Sequence, residues 1–205
     1  ERLGGPVTWT DRAQVTSGFA DAALRFIDAA AAQRRPFYVN LWPDDVHSPY
    51  FPPLEKWTPG KRPLYLAVLA EMDRQLGRIL DRVRTDPALR DNTIVLLCSD
   101  NGPEPGAGRA GPFRGNKTQL FEGGIRSPLI VWAPGLMAKG RVGQRDETSV
   151  FAAMDLAPSL AALAGAGCAG LAAATALAED GARVLVLEGR PTLGGRASAV
   201  RDAHL

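Results

Sequence analysis

The chain has little cysteine and little histidine: Cys98 and Cys168, His47 and His204. Two cysteines exclude a disulfide framework and a cysteine-built zinc site. Two histidines exclude a His-rich metal centre, so any metal site must rest on oxygen ligands. Neither sign of charge dominates. Lys plus Arg number 24 against 22 Asp plus Glu, a net of +2. That balance offers no electrostatic case for nucleic acid or an acidic membrane surface as a partner. Residue 1 is Glu, and no basic segment with an apolar run follows it, so the start of the chain does not indicate a compartment. A single uncharged stretch, Leu156 to Ala178, has the length of a membrane-spanning helix. It is built of Ala and Gly and contains Pro158, Gly165, Gly167 and Gly170. That composition predicts a helix, a turn and a second helix, not a span.

With 205 residues, the chain holds one domain, or one domain and a fragment of another. At 45% hydrophobic and 22% charged it is ordinary for a globular protein and not disordered. Apolar spacing predicts a helix from Thr16 or Ser17 to about Gln33, with Ala20, Ala23, Leu24, Ile27 and Ala31 on one face. Phe37 to Trp42 reads as a short buried strand. Pro43 to Pro63 holds six prolines and reads as a loop. Leu64 to about Thr85 is the clearest helix. Tyr65, Val68, Leu69, Met72, Leu76, Ile79, Leu80 and Val83 form its stripe, with Glu71, Asp73, Arg74, Arg78 and Asp81 off it. Thr93–Cys98 and Leu129–Ala133 read as buried strands, and Met154–Ala164 as a helix. Helices alternating with short apolar strands predict an α/β fold with a mainly parallel sheet covered by helices. Ligands in such sheets bind beyond the carboxyl ends of the strands. His47 follows the first strand there, and Asp100 and Asn101 follow the second.

Asp100 and Asn101 offer a carboxylate and an amide oxygen, which suit calcium or magnesium. They make half a site at best, because calcium takes about six to eight ligands. Alone, Asp100-Asn101-Gly102 reads more readily as a turn. Arg114-Gly-Asn-Lys117 and Glu122-Gly-Gly-Ile-Arg126-Ser-Pro128 follow in the same loop. Arg114 and Arg126 read as partners of Glu122 or nearby carboxylates.

Seven segments in order then carry a resemblance. They are FADAALRFIDAAAAQRRPFYVNLW, VHSPY, YLAVLAEMDRQLGRIL, NTIVLLCSDNG, RGNK, FEGGIRSPLIVWAPG and DLAPSLAALAG, over about residues 12 to 165. Together they resemble the C-terminal part of a sulfatase catalytic domain, of the alkaline-phosphatase-like superfamily. The resemblance implies hydrolysis of a sulfate ester on a small molecule or sugar. It implies that Asp100 and Asn101 ligate Ca2+ or Mg2+. It implies that Lys117 contacts the sulfate, and that His47, in Val46-His47-Ser48-Pro49, touches the sulfate or the leaving oxygen. The chemistry agrees. Breaking the ester bond builds charge on the bridging oxygen, where a histidine can donate a proton. A cation and an ammonium stabilise the non-bridging oxygens. Many members of the family are periplasmic or secreted; location and oligomeric state stay open here.

The family's nucleophile segment, C-x-P-x-R or S-x-P-x-R, occurs nowhere in the 205 residues. Its paired aspartate ligands are also absent, and Asp44-Asp45 reads as a loop pair. The chain by itself is therefore expected to be inactive. Residues 165–205 resemble something else. Gly165, Gly167 and Gly170 form G-x-G-x-x-G, Arg183–Leu187 reads as a strand, and Glu188 follows at the distance of a ribose contact. This segment is similar to the start of an FAD-dependent amine oxidase or a phytoene-desaturase-like protein. It implies a partial dinucleotide-binding segment beyond a partial sulfatase domain at 1–164. No strand is expected before the glycines, so FAD binding is not expected. The alternative function is that of an FAD-dependent oxidoreductase fragment.

Overall fold

The computed structural model describes residues 9–137, 140–163 and 183–188. Two compact units form, one from residues 1–20 and 45–145, the other from 21–44 and 146–205. The division falls inside helix α1, Val15–Ala32.

The second unit holds most of α1, strand β1 (Phe37–Trp42), helix α5 (Ala153–Leu163) and strand β4 (Arg183–Glu188). The alanine run FADAALRFIDAAAA favours helix, since alanine loses no side-chain entropy there. It stops where Arg34 turns left-handed at φ 52°. Arg35 N–H then reaches back to Ala30 O at 3.0 Å and Arg34 N–H to Ala31 O at 3.0 Å. That pair of bonds satisfies the last carbonyls, and Pro36 prevents continuation. β1 and β4 run parallel, pairing Phe37 with Arg183 through Trp42 with Glu188. At α5 the Asp155 carboxylate accepts from Ala152 N–H at 2.8 Å, capping the first turn. The helix ends at Leu163. The predicted second helix of the 156–178 stretch, and Gly165, Gly167 and Gly170, lie outside the described residues. Among the described residues no helix is long and apolar enough to cross a membrane.

The first unit is built around α2 (Lys61–Thr85). It starts three residues earlier than its apolar stripe suggests, inside the segment read as loop. Pro63 is tolerated there because first-turn N–H groups have no helical partner anyway. A 3-10 turn at Leu54–Lys56 also breaks that loop. Asp86 ends α2 and caps α3 (Pro87–Arg90), its side chain accepting from Ala88 N–H. Strands β2 (Val95–Cys98) and β3 (Leu129–Trp132) pair antiparallel, Val95 with Trp132 through Cys98 with Leu129. This pair is antiparallel where a mainly parallel sheet was expected, while β1 and β4 pair parallel. The connection, residues 99–128, is long but contains only the four-residue α4 (Glu122–Ile125), not the crossover helix that usually joins parallel strands. Nor are β2 and β3 buried as their apolar runs suggest: Leu97, Ile130 and Val131 are about half exposed.

The buried face of α2 also differs from its apolar stripe. Val68, Glu71, Gln75 and Val83 are buried, whereas Leu80 is exposed. Glu71 is held by Lys56 at 2.7 Å and by Arg74. Gln75 donates to Glu71 at 2.9 Å and to the carbonyl of Ala13 at 2.6 Å. A polar seam therefore joins α2 to the segment before α1. The buried Glu71 carboxylate survives there because Lys56, Arg74 and Gln75 all reach it, although Gln75 Oε1 itself is left without a hydrogen-bond partner among the described residues.

Candidate functional site

The loop between β2 and β3 carries three of the four predicted site residues, and its backbone is cross-tied. Gly102 N–H bonds Gly124 O at 2.8 Å, Lys117 N–H bonds Pro103 O at 2.9 Å, and Gly123 N–H bonds Arg114 O at 2.8 Å. The Lys117 backbone is thereby tied to Pro103, two residues beyond Asn101. The glycines of the EGG segment let the loop close this tightly. A Cβ on Gly123 would lie 2.2 Å from Gly115 O, and one on Gly124 would lie 2.0 Å from Gln119 O. Gly115 itself takes φ 91°, a region glycine enters without strain. Thr118, next to Lys117, also has positive φ, 74°. That is a true outlier for a β-branched residue and stores strain beside the site.

The turn that carries His47 is tied to this loop by another bond. It is exposed, and it lies three residues before Tyr50, which is buried. Tyr50 donates from its hydroxyl to Glu104 at 2.8 Å. Glu104 lies three residues beyond Asn101 and is also paired with Lys61 at 2.7 Å. Lys61 and the Tyr50 hydroxyl, with a smaller contribution from the Ser48 hydroxyl, hold the Glu104 carboxyl down at about 2. Burial and the facing carboxylate push the Tyr50 phenol up. Beneath this bond Tyr50, Val68 and Ala107 form an apolar cluster with Val46, Leu64 and Tyr65 around it. Arg62, beside Lys61 on α2, donates to Ala107 O at 2.6 Å.

The four residues His47, Asp100, Asn101 and Lys117 therefore sit on loops joined to one another within one unit. The joining is done by the loops and by α2, not by a shared sheet rim, because β1 and β2 belong to separate sheets. Tyr50, Glu104 and Lys61 were missed by sequence reasoning. The only available signal was an acid three residues beyond the Asp-Asn pair. Asp45, read as a loop acid, is buried and accepts a hydrogen bond from the Thr16 hydroxyl. A small cleft lined by Arg12, Asp45, Phe51 and Glu71 contains none of the four.

His47 Nδ1 lies 2.7 Å from Ser48 O. A carbonyl can only accept, so Nδ1 carries the proton. Asp100 is an exposed carboxylate at the end of β2. The donor types of Asp100 and Asn101 fit a hard cation, and their number fills only part of a calcium shell. Among the described residues no cluster of three or more His, Cys, Asp or Glu could hold a metal. Of the two arginines, Arg126 pairs with Glu122 at 3.2 Å as expected. Arg114 instead lies over the ring of Phe121, 3.9 Å from its centroid. Cys98 is a free thiol, exposed at the end of β2. Glu188, the last residue of β4, pairs with Trp42.

Comparison with known proteins agrees with the loop motifs. The sulfatase family model matches residues 8–166. A model described as an NAD(P)-binding Rossmann-like domain matches residues 164–204. N-acetylgalactosamine-6-sulfatase of Canis lupus familiaris is 34% identical over 162 residues, which is 76% of this chain and 30% of that protein. Arylsulfatase G of Mus musculus is 34% identical over 164 residues, 72% of this chain and 30% of that protein. The chain thus spans about 30% of the length of the curated relatives it matches. Among solved structures, Ps i-CgsB in complex with k-i-k-neocarrahexaose superposes with a TM-score of 0.69 at 27% identity, over 82% of this chain and 38% of that one. PsFucS1 sulfatase from Pseudoalteromonas sp. shares the fold, with a TM-score of 0.52 at 24% identity over 67% of this chain and 30% of that one.

Proposed function

Since this chain belongs to the sulfatase family, we propose that residues 1–164 form the sulfate- and cation-facing part of a catalytic domain that hydrolyses sulfate esters. The observation that carries this reading is the cross-tied loop. Lys117 is bonded through its backbone to Pro103, beside Asn101, while Tyr50 and Glu104 tie in the turn bearing His47. Asp100 and Asn101 would hold a calcium or magnesium ion, which when bound supplies positive charge to a sulfate oxygen. Lys117 binds a second non-bridging oxygen through its ammonium. His47 protonates the leaving oxygen through Nε2. Because Nδ1–H is committed to Ser48 O, Nε2 is the ring nitrogen left to serve the leaving oxygen. The substrate class is a sulfated sugar, in keeping with the substrate name of the N-acetylgalactosamine-6-sulfatases and the carrageenan oligosaccharide of the structural relative.

No C-x-P-x-R or S-x-P-x-R segment lies within the 205 residues, so the nucleophile is not among them. Two measurements test the reading. Calcium or magnesium should raise the melting temperature by binding the folded state, and Asp100→Ala should abolish the rise. A rise that survives Asp100→Ala, or no rise with either ion, sinks the cation assignment. Purified as it stands, the chain should not turn over an aryl sulfate above a metal-only control.

The tail supports a second reading, the start of a dinucleotide-binding domain, through its match to the Rossmann-like model. Glu188 ends β4, where a ribose contact would be made. Flavin bands in the absorption spectrum of the purified protein would favour it; the expected spectrum has none.

A further inference from the structure

Two arginines lie over aromatic rings beside the candidate site, and they differ in one respect. Arg126 lies 4.6 Å from the Phe113 centroid and is neutralised by Glu122 at 3.2 Å. Arg114 lies 3.9 Å from the Phe121 centroid, and among the described residues no carboxylate pairs with it. It is exposed. Its backbone carbonyl accepts from Gly123, and a Cβ on Gly115 would lie 2.8 Å from Phe121 Cβ. The absent Cβ therefore lets the ring come close to the loop that carries Arg114. A guanidinium resting on a ring keeps its charge and its planar fork of donors, which matches two oxygens of an anion. Lys117 follows three residues later in the same cross-tied loop.

We propose that Arg114 binds a second oxyanion of the substrate, on the sugar next to the ester held by Lys117, and so selects multiply charged oligosaccharides. This rests on the proposed sulfatase reading. The shared chemistry is an oxygen anion, from either a sulfate ester or a carboxylate.

Binding of three hexasaccharides tests it at low salt, where charge is least screened. One carries a single sulfate per disaccharide, one carries two, and one carries a sulfate and a carboxylate. The wild-type chain should prefer at least one doubly charged ligand over the singly charged one by about fivefold, the size of one exposed charge-assisted contact. Arg114→Gln should bring that ratio close to one. Phe121→Leu, which removes the platform but no charge, should reduce it. Arg126→Gln should leave the preference standing, because that charge is already paired. Absence of a preference in the wild type, or its persistence in Arg114→Gln, overturns the proposal. Binding of all three ligands through Lys117 without discrimination would overturn this inference and leave the sulfatase reading intact. Wild-type binding to none of them would overturn both.

Discussion

Tyr50 donates its phenol proton to Glu104 across 2.8 Å, and this bond joins the turn carrying His47 to the loop carrying Asp100 and Asn101. Tyr50→Phe keeps the ring and removes the donor. A hydrogen bond to a charged group contributes about 1.5–3 kcal/mol, so the variant should lose roughly that much stability in urea unfolding. Lys61 still pairs with Glu104 and keeps the loss at the lower end. An unchanged midpoint would show that the tie carries no load.

Acid should weaken the same tie. The carboxyls of Glu104 and Glu71 are both held at about 2, below their ordinary 4.5. Lys61 is the main cause for the first, and the Arg74 hydrogen bond for the second. A carboxylate with a depressed value stabilises the fold fully above its unfolded value and loses that contribution as pH falls through its folded one. The melting temperature should therefore fall between about pH 4.5 and 2. Glu104→Gln and Glu71→Gln should each flatten the profile in that window. A wild-type profile that is flat there would contradict both pairings.

Thr118 is strained at φ 74°. Left-handed backbone costs a non-glycine residue roughly 1–2 kcal/mol, part of which glycine returns as unfolded-state entropy. Thr118→Gly should raise stability by about 0.5–1 kcal/mol. If the strain holds Lys117 in place, the same variant should bind sulfated ligand less tightly although it is more stable. Calorimetry of both quantities on one preparation separates the two effects.

Gly124→Ala should do the opposite. Its Cβ would meet backbone oxygens at 2.0 and 2.4 Å, and a backbone cannot step aside as a side chain can. A loss of about 1–3 kcal/mol is expected, together with loss of the calcium-dependent rise in melting temperature. Gly77→Ala is the control. That glycine is on α2 with nothing near its missing Cβ, so alanine should be neutral or stabilising there.

Much of this protein is legible in its sequence. Alanine content and apolar spacing located α1 and α2, and β-branched runs located the strands to within a residue or two. Both are local effects, read from a few neighbouring positions. The DNG, RGNK and EGG segments marked the site loop, because tight backbone approaches demand glycine wherever they occur. The face that α2 buries was not legible. Glu71 and Gln75 look solvent-facing until Lys56, Arg74 and the carbonyl of Ala13 are brought to them. Nor was the antiparallel return of β3, which depends on how the long connection folds.

The sequence by itself determined the family, the elements and two motif-bearing segments: a candidate site loop without a C-x-P-x-R or S-x-P-x-R segment beside it, and a glycine-rich tail. Tertiary structure decided which residues support that loop. Tyr50 and Glu104 are 54 positions apart, and no local pattern couples them. Tyr50 is buried in the apolar cluster with Val68 and Ala107, so its phenol needs a partner there, and the partly exposed Glu104 carboxylate supplies one.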